Sequence, residues 1–253
     1  MTALPGRSVL VCVILAVSVT GALAGCSSSD TAVTSTIAAS ATTTAAVSIT
    51  GVKPPSTPES ERALFDAVDR NDPAAITAAL ASGANIEARG EGERTPLVEA
   101  TKNDAVAAAS TLILAGADVN AKDSMQDSAF LYSGAEGLNE ILALTLAHGA
   151  DVDSVNRYGG TALIPASEHA HVESVRMLIA AGVPVNHVND PGWTALLEAV
   201  VYGDGSVRYI DVITQLLDAG ADPSIRDASG KTALDNAESR GQSDVVALLQ
   251  SRS

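Results

Sequence analysis

The sequence contains little sulfur and few aromatic side chains. It has 2 cysteines in 253 residues, and aromatic residues make up 3% of the chain. Both cysteines, Cys12 and Cys26, lie near the N-terminus, so residues 27–253 hold no thiol and can form no disulfide. Thiol catalysis is therefore excluded there, and stability must come from packing. The hydrophobic share of 46% consists mainly of Ala, Leu and Val, which suits closely packed helices better than a β-sandwich.

Positive charge is also scarce. The chain has 15 Lys and Arg against 30 Asp and Glu, a net charge of −15. Loss of residues 1–25, whose single charged side chain is Arg7, would leave 14 − 30 = −16. Such a surface repels phosphate backbones, so no nucleic-acid partner is expected. It favours basic partners or cations. The plainer interpretation is a solvated acidic surface that keeps a secreted protein soluble.

Residues 1–25 have the pattern of an export signal. One positive charge precedes an apolar run at residues 8–24, and the run ends in Leu23-Ala24-Gly25-Cys26. This ending resembles the bacterial lipobox, and the resemblance implies cleavage before Cys26 and attachment of palmitate and other lipid to it. An uncleaved anchor is the alternative, because the run is near the lower limit for a membrane-spanning helix. Both interpretations predict a protein held at the cell membrane on its extracytoplasmic side, in the periplasm or cell wall.

Residues 26–60 are rich in Ser, Thr, Ala and Pro and show no helical or strand period. This composition predicts a flexible tether with a stiffer, Pro-rich end. A flexible chain of this length has a root-mean-square reach of about 30 Å. The tether could therefore lift a folded domain off the lipid surface. Glycosylation of its Ser and Thr residues is a weaker hypothesis that stays open.

The rest of the chain repeats itself. Glycines that would close a helix pair recur at intervals of 33, 33, 33 and 38 residues, at Gly83, Gly116, Gly149, Gly182 and Gly220. Hydroxyl residues that could cap a first helix recur at the same intervals, at Thr95, Ser128, Thr161, Thr194 and Thr232. Apolar residues follow at helical spacing, including Leu112, Leu142, Leu178, Leu216 and Leu249.

These motifs resemble the ankyrin repeat over residues 61–253. The resemblance implies an all-α solenoid of about six helix-pair repeats, in which each repeat packs on its neighbours. The first unit, from Arg62 to about Ala88, lacks a clear opening motif and is interpreted as an N-terminal cap. The last, from Asp227 to Ser253, is polar outside and is interpreted as a C-terminal cap. No oligomer is indicated, so a monomer is expected.

Three departures from the family pattern lead to specific expectations. In the family, a His usually follows the Thr-Pro-Leu that opens each repeat. This His is absent in every unit here, which predicts a sparse polar network between repeats. The Gly between paired helices is replaced by Asp104 and Ala170, which is unfavourable if the backbone there is left-handed. The fifth unit has five extra residues within 202–211, which are expected to project as a surface loop.

The family resemblance also implies a binding face. Ankyrin stacks bind through loop tips and the exposed parts of first helices, on the concave side. Trp193, the only Trp in the chain, is the first choice as an anchor, and its alternative role is to pack over the next loop. The complete set of partner-binding residues expected on this face is Tyr132, Glu136, Arg157, Tyr158, Glu168, His169, Trp193, Glu198 and Tyr202.

Other motifs give weak signals for chemistry. Glu168-His169-Ala170-His171 resembles a metal cluster, but residues two apart on a helix do not face each other. Gly230-Lys231-Thr232 resembles the end of a phosphate loop without its first Gly. Gly203-Asp204-Gly205 lacks the later acidic ligands of a calcium loop. No carboxylate pair stands out in a buried context, so neither an enzyme nor a metal or cofactor site is expected.

The leading hypothesis is therefore a lipid-anchored protein that binds a protein partner through its concave face. The partner is unknown, and the acidic surface favours a basic one. The first alternative is an envelope scaffold or stress component without a discrete partner. The second is a receptor for a small ligand or cation that uses the loop of the fifth unit.

Overall fold

The computed structural model describes residues 54–252, and this part of the chain is a helical solenoid. It contains six antiparallel helix pairs and one short 3-10 turn at Glu91–Glu93. The expected fold class, all-α with about six helix-pair repeats, is confirmed. The pairs are α1 Pro58–Asp69 with α2 Pro73–Ala81, α3 Pro96–Lys102 with α4 Val106–Leu114, α5 Ala129–Ala135 with α6 Asn139–Ala147, α7 Leu163–Glu168 with α8 Val172–Ala180, α9 Ala195–Val201 with α10 Val207–Asp218, and α11 Ala233–Ser239 with α12 Ser243–Gln250.

The helices form two layers. The first helices pack in the order α1, α3, α5, α7, α9 and α11, and the second helices stack behind them from α2 to α12. Each helix is too short to be stable alone, so burial of its apolar stripe against both neighbours must hold it. Two clusters of fully buried side chains run through the interior, one around Leu97 and Leu112 and the other around Leu163, Leu178 and Leu196.

Most first helices begin as the sequence predicts. The hydroxyl oxygens of Thr95, Ser128 and Thr194 each accept a hydrogen bond from the amide three residues later, at 3.1–3.2 Å. Thr232 does the same and forms a capping box with Asp235. Each bond satisfies an amide that has no partner within the helix.

Thr161 is the exception, and its predicted capping role is wrong. In other repeats, the carbonyl of the capping residue accepts from the amide four residues on, as from Glu198 to Thr194 at 2.9 Å. Position 165 is Pro, which has no N–H. The Thr161 carbonyl instead accepts from the amide of Ile164 at 3.2 Å, and the buried Thr161 hydroxyl has no hydrogen-bond partner in the part of the chain that the structure describes.

Left-handed residues follow the second helices of the first five pairs and most of the first helices. The five recurring glycines have φ between 87° and 101°, which confirms them as closing caps. Between the paired helices, Asp104 and Ala170 have φ of 49° and 50°. The cost expected for a non-glycine residue at these two positions therefore applies.

The first repeat has an opening motif that the sequence analysis missed. Thr57 and Ser60 form a capping box, and Pro58 occupies the first turn of α1. The signal was present, because Thr57-Pro58 repeats Thr95-Pro96. The helical part thus begins at Pro58, within the range assigned to the tether. The amide of Asn85 also donates to the Ser56 hydroxyl at 3.2 Å, so residues just before α1 contact the first inter-repeat loop.

The expectation that the five extra residues of the fifth repeat project as a loop was only partly right. Three of them lengthen α10 to 12 residues, whereas α8 has 9, and the other two lengthen the connection before α10, which is 202–206 here and 169–171 in the fourth repeat. The added turn packs on the end of α7, where carbonyls lack helical partners. The Tyr209 hydroxyl donates to the Glu168 carbonyl at 2.8 Å, and the Arg208 guanidinium donates to the Ala170 carbonyl at 2.9 Å.

The expected lack of polar contacts between repeats was also wrong. The Asn120 amide side chain donates to the Gly149 carbonyl at 2.9 Å and accepts from the Asp151 amide at 2.9 Å. Asn186 makes the same two bonds to the repeat that follows it. Lys122 donates to the Val155 carbonyl at 2.7 Å. Loop side chains therefore supply the inter-repeat network that the missing His does not.

The predicted export signal at 1–25, Cys26, and residues 26–53 of the tether lie outside the described residues. Within residues 54–252, no helix has the length and hydrophobicity needed to cross a membrane.

Candidate partner-binding site

The loops between repeats end in five tips, here called fingertips, at residues 90–94, 123–127, 156–160, 189–193 and 227–231. The last four each begin with an Asp or Asn that organises the tip. Asp123 Oδ1 accepts from the amides of Met125 and Asp127 at 2.8 and 3.0 Å. Asn156 Oδ1 accepts from two tip amides at 2.9 and 3.1 Å. Asn189 and Asp227 have the same role in the next two tips. Sequence reasoning missed this set, although these residues recur at the repeat spacing of 33, 33 and 38.

Two pairs of adjacent fingertips are hydrogen-bonded, the first to the second and the third to the fourth. The amide of Ser124 donates to the Gly92 carbonyl at 2.9 Å, and the amide of Asp190 donates to the Tyr158 carbonyl at 2.9 Å. His187 Nε2 lies 2.6 Å from the Gly159 carbonyl. Backbone bonds of this kind hold neighbouring tips in register, so side chains on them are presented from a pre-ordered surface.

A cavity of about 370 Å³ lies between the fingertips and the first helices α5, α7 and α9. Six of the nine expected binding residues line it, with contributions from three repeats. Asn189 and Pro165 belong to the same wall. The six lining residues are Tyr132, Glu136, Arg157, Tyr158, Glu168 and Glu198.

The other three expected residues do not line this cavity. Trp193 is half-buried, packs against the hydrophobic core, and contacts the Tyr202 ring with centroids 6.3 Å apart. These contacts favour the packing role for Trp193 over the binding role. Tyr202 is 57% exposed. His169 is also exposed, and its ring lies 5.7 Å from that of His171.

Lys102 forms a cationic edge that sequence reasoning missed. Its ammonium group lies 2.8 Å from Asp127 Oδ2 and 3.4 Å from Asp123 Oδ2. The same group lies 4.2 Å from the centre of the Tyr132 ring, a cation–π distance. Lys102 thus neutralises acidic charge at one end of the cavity and holds Tyr132 in place. Burial is the main reason that the pKa of Tyr132 is raised.

Arg157 and Tyr158 form an exposed pair at one fingertip. The Arg157 guanidinium carbon lies 4.6 Å from the centre of the Tyr158 ring, and Tyr158 is 52% exposed. A hydrogen bond with Tyr158 is the first cause of the raised pKa of Arg157. An exposed aromatic ring stacked on Arg is typical of interface hot spots.

Glu198 is a buried carboxylate, which the sequence alone did not indicate. It is 7% exposed, although α9 presents it to the cavity. Burial, and secondly the negative charge of Glu168, raise its pKa to about 7. A raised carboxylate pKa in a cleft is a general indicator of a functional site.

The motifs with possible metal or phosphate chemistry have structural roles. His171 packs closely against Gly137, and burial is the main cause of its lowered pKa. Asp204 accepts from the amide of Ser206 at the start of α10, and Thr232 caps α11. In residues 54–252 no three His, Cys, Asp or Glu side chains are grouped so as to hold a metal ion.

Comparison with known proteins settles the family. A family model described as "Ankyrin repeats (3 copies)" matches residues 130–227, and one described as "Ankyrin repeat" matches residues 92–124. An ankyrin repeat domain from Acinetobacter baumannii AYE is 51% identical to this chain, with a TM-score of 0.73. The chain belongs to the ankyrin repeat family.

The similarity to other ankyrin proteins covers the solenoid. The match to the Acinetobacter domain covers 75% of this chain and 96% of that one. A second solved structure, the ankyrin repeat protein EF0377, is 38% identical with a TM-score of 0.72, over 75% of this chain and 97% of its own. Ankyrin repeats in general mediate protein–protein interaction and are non-catalytic binding modules, which agrees at this level with the function expected from sequence.

Proposed function

We propose that this ankyrin protein is a lipid-anchored, extracytoplasmic platform that binds one protein partner through the cavity and its fingertips. The observation that carries this proposal is the cavity itself. Three consecutive repeats place aromatic and acidic side chains around one recess, and a backbone bond holds the tips 156–160 and 189–193 in register. A pre-ordered surface of this kind loses less conformational entropy on binding than a flexible one.

The chemistry of the surface supports a protein partner. Tyr158 at the tip and Tyr132 in the wall provide rigid amphipathic contact area, which interfaces use as anchors. Glu136 and Glu168 stand beside them, and the whole chain has a net charge of −15. Complementary charge guides encounter and selects among partners, so a basic surface on the partner is the best match.

Membrane attachment rests on the N-terminal sequence. The Leu-Ala-Gly-Cys ending supports lipid on Cys26, and acyl chains contribute about 0.8 kcal/mol per buried CH₂. Residues 27–56 then separate the lipid from the capping residue of α1, Thr57. This spacer would let the binding face reach partners anchored in the same membrane or in the wall.

Site-specific crosslinking in cells tests the binding face. A photo-crosslinking amino acid replaces Tyr158 or Met125, which occupies the same tip position one repeat earlier, in the full-length lipidated chain. Both positions should capture the same dominant protein, identified by mass spectrometry. Glu140 on α6, in the layer of second helices, is the matched control and should not capture this protein. Identical capture profiles at the tips and at Glu140, or only diffuse capture, would contradict a discrete partner.

Replacement of the anchor residue tests attachment separately. Cys26→Ala should move the protein from the membrane fraction to the soluble extracytoplasmic fraction and remove the lipid mass from the N-terminal peptide. If the variant stays in the membrane with residues 1–25 still present, the apolar run itself is the anchor and the lipid proposal is wrong.

A further inference from the structure

Glu198 is a buried carboxylate that the protein leaves partly unsatisfied. It is 7% exposed, and its Oε2 atom has no hydrogen-bond partner among residues 54–252. Its Oε1 atom accepts only one bond, from the Asn189 amide side chain at 3.5 Å, which is long. A buried acceptor without a partner is destabilising and requires an explanation. The residue lines the cavity, so an external group can reach it.

The residue equivalent to Glu198 in the second repeat shows that Glu198 lacks a cationic partner within residues 54–252. Glu99 lies three repeat lengths, or 99 residues, before Glu198, and its carboxylate pairs with Arg94 at 3.2 Å. The residue of the fifth repeat that corresponds to Arg94 is Trp193, whose ring packs against the core. The described part of the chain therefore provides a cation for the Glu99 carboxylate and none for the Glu198 carboxylate.

The last repeat satisfies its equivalent residue in another way. Asn236 takes the place of Glu198 there and donates to Asp227 Oδ2 at 2.9 Å. In the fifth repeat the two residue types are exchanged, with Asn189 at the fingertip and Glu198 on the helix. The amide can satisfy one carboxylate oxygen, and the second oxygen remains available to the cavity.

The surroundings of Glu198 favour a positive charge. Glu168 lies near enough to raise its pKa, and Glu136 also lines the cavity. Asp127 is neutralised by Lys102, and the guanidinium of Arg157 lies over the Tyr158 ring. Repulsion by Glu168 and burial both disfavour the charged form of Glu198, and a bound cation would offset both.

We propose that Glu198 and Glu168 form a cation subsite that receives the ammonium or guanidinium head of a Lys or Arg side chain from the bound polypeptide. This inference rests on the proposed function, because it assigns one pocket of the same binding face. The side chain would enter past Tyr132 and Tyr158, whose rings can contact its aliphatic stem. Its donors would satisfy Glu198 Oε2, so the partner would supply the ion pair that Arg94 supplies to Glu99.

A peptide array tests the subsite even while the partner is unidentified. The probes are random decapeptides, each Lys or Arg peptide spotted beside a copy with norleucine or citrulline in its place. The purified full-length chain should bind a set of Lys or Arg peptides at least tenfold more strongly than their neutral copies. Glu198→Gln should remove this preference, because Gln keeps the size of the side chain and loses its charge. Glu168→Gln should weaken it.

Two controls separate the subsite from general electrostatics and from misfolding. Glu140→Gln removes the same charge from the outer layer and should leave the preference unchanged. Circular dichroism and a thermal melt show whether Glu198→Gln is folded, and neutral peptides that bind wild type should bind this variant equally well. An equal loss of preference in Glu140→Gln would mean that net charge alone attracts the peptides, which overturns the subsite.

The remaining outcomes also decide the question. Binders without a Lys or Arg preference, or an array without binders, would overturn the cation subsite, and the in-cell crosslink at Tyr158 would still show whether the binding platform exists. If spermidine or Ca²⁺ alone raises the melting temperature of wild type but not of Glu198→Gln, the site takes a free cation and the polypeptide occupant is wrong.

Discussion

At the scale of single residues, identical motifs have different consequences because their neighbours differ. Thr161 and Thr194 occupy the same position in adjacent repeats, and both are buried. Only Thr194 caps its helix, because Pro165 removes the amide that the Thr161 carbonyl would otherwise bind. Glu99 and Glu198 likewise share a position, but of the two only Glu99 pairs with a cation in the described part of the chain. The contribution of each of these four residues to stability must therefore be derived from its own hydrogen bonds and ion pairs.

The two threonines provide a matched pair for a stability measurement. Thr194→Val should lower the free energy of unfolding by about 1 kcal/mol, because it removes a helix cap. Thr161→Val removes a buried hydroxyl without a partner and should be neutral or stabilising. Urea denaturation of the two variants beside wild type checks this difference. Equal losses at the two positions would show that Thr161 also caps its helix in solution.

Glu198 should make stability depend on pH in an unusual direction. Its folded pKa of about 7 lies above the ordinary value of 4.5, so its ionisation opposes folding. Its favourable contribution is complete below about pH 4.5, declines as pH rises, and is gone above about pH 7. The loss is on the order of 2–3 kcal/mol.

The comparison of wild type with Glu198→Gln isolates this contribution. Asp227 and Asp235 have lowered pKa values and act in the opposite direction, since their contributions are lost in acid. They are common to both proteins and cancel in the difference. Thermal melts at pH 5 and pH 8 should show wild type losing more stability than Glu198→Gln between the two. A constant difference between the proteins would place the pKa of Glu198 near its ordinary value.

At the scale of helices, the sequence predicted which helices form and in what order, but it did not predict the length of α10. The spacing of Gly and Thr located five helix pairs, because each repeat uses the same local cap chemistry. The conformation of the extra residues in the fifth repeat could not be predicted in this way, because it depends on the tertiary contacts of α10. Tyr209 and Arg208 bond the carbonyls at the end of α7, and this favours an extra helical turn over a loop.

The left-handed junction between α3 and α4 offers a stabilising substitution. Asp104 is exposed with φ of 49°, where a side chain is strained. Asp104→Gly should raise the free energy of unfolding by about 0.5–1 kcal/mol. Asp104→Ala should lower it, because Ala tolerates this conformation less well than Asp. Denaturant midpoints measure both changes, and stabilisation by both substitutions would show that the side chain, not the backbone, is unfavourable.

At the scale of the whole molecule, the solenoid separates stability from binding. Each repeat contacts only its neighbours, so stability is distributed along the chain. The cavity uses only the third to fifth repeats and their tips. The terminal repeats therefore protect the ends of the stack without contributing side chains to the cavity.

A core substitution in the first repeat tests this separation. Leu64 is fully buried in α1, and Leu64→Ala should cost about 2–5 kcal/mol locally. Hydrogen exchange should become faster in α1 to α4 and stay unchanged in α7 to α10, and crosslinking from Tyr158 should persist. A uniform increase in exchange along all twelve helices would mean that the stack unfolds as one cooperative unit.

The repeat period and the helical fold followed from local patterns, because caps, turns and apolar periodicity act over a few residues. The family resemblance indicated six of the residues that line the cavity. The orphaned hydroxyl of Thr161 also has a local cause, the missing amide of Pro165 four residues along the chain. Only the tertiary structure decided that Trp193 packs against the core and that the carboxylate of Glu198 is buried without a cation from residues 54–252. Such relations arise only when the repeats are stacked, since burial and pairing are properties of the neighbourhood that the stack creates.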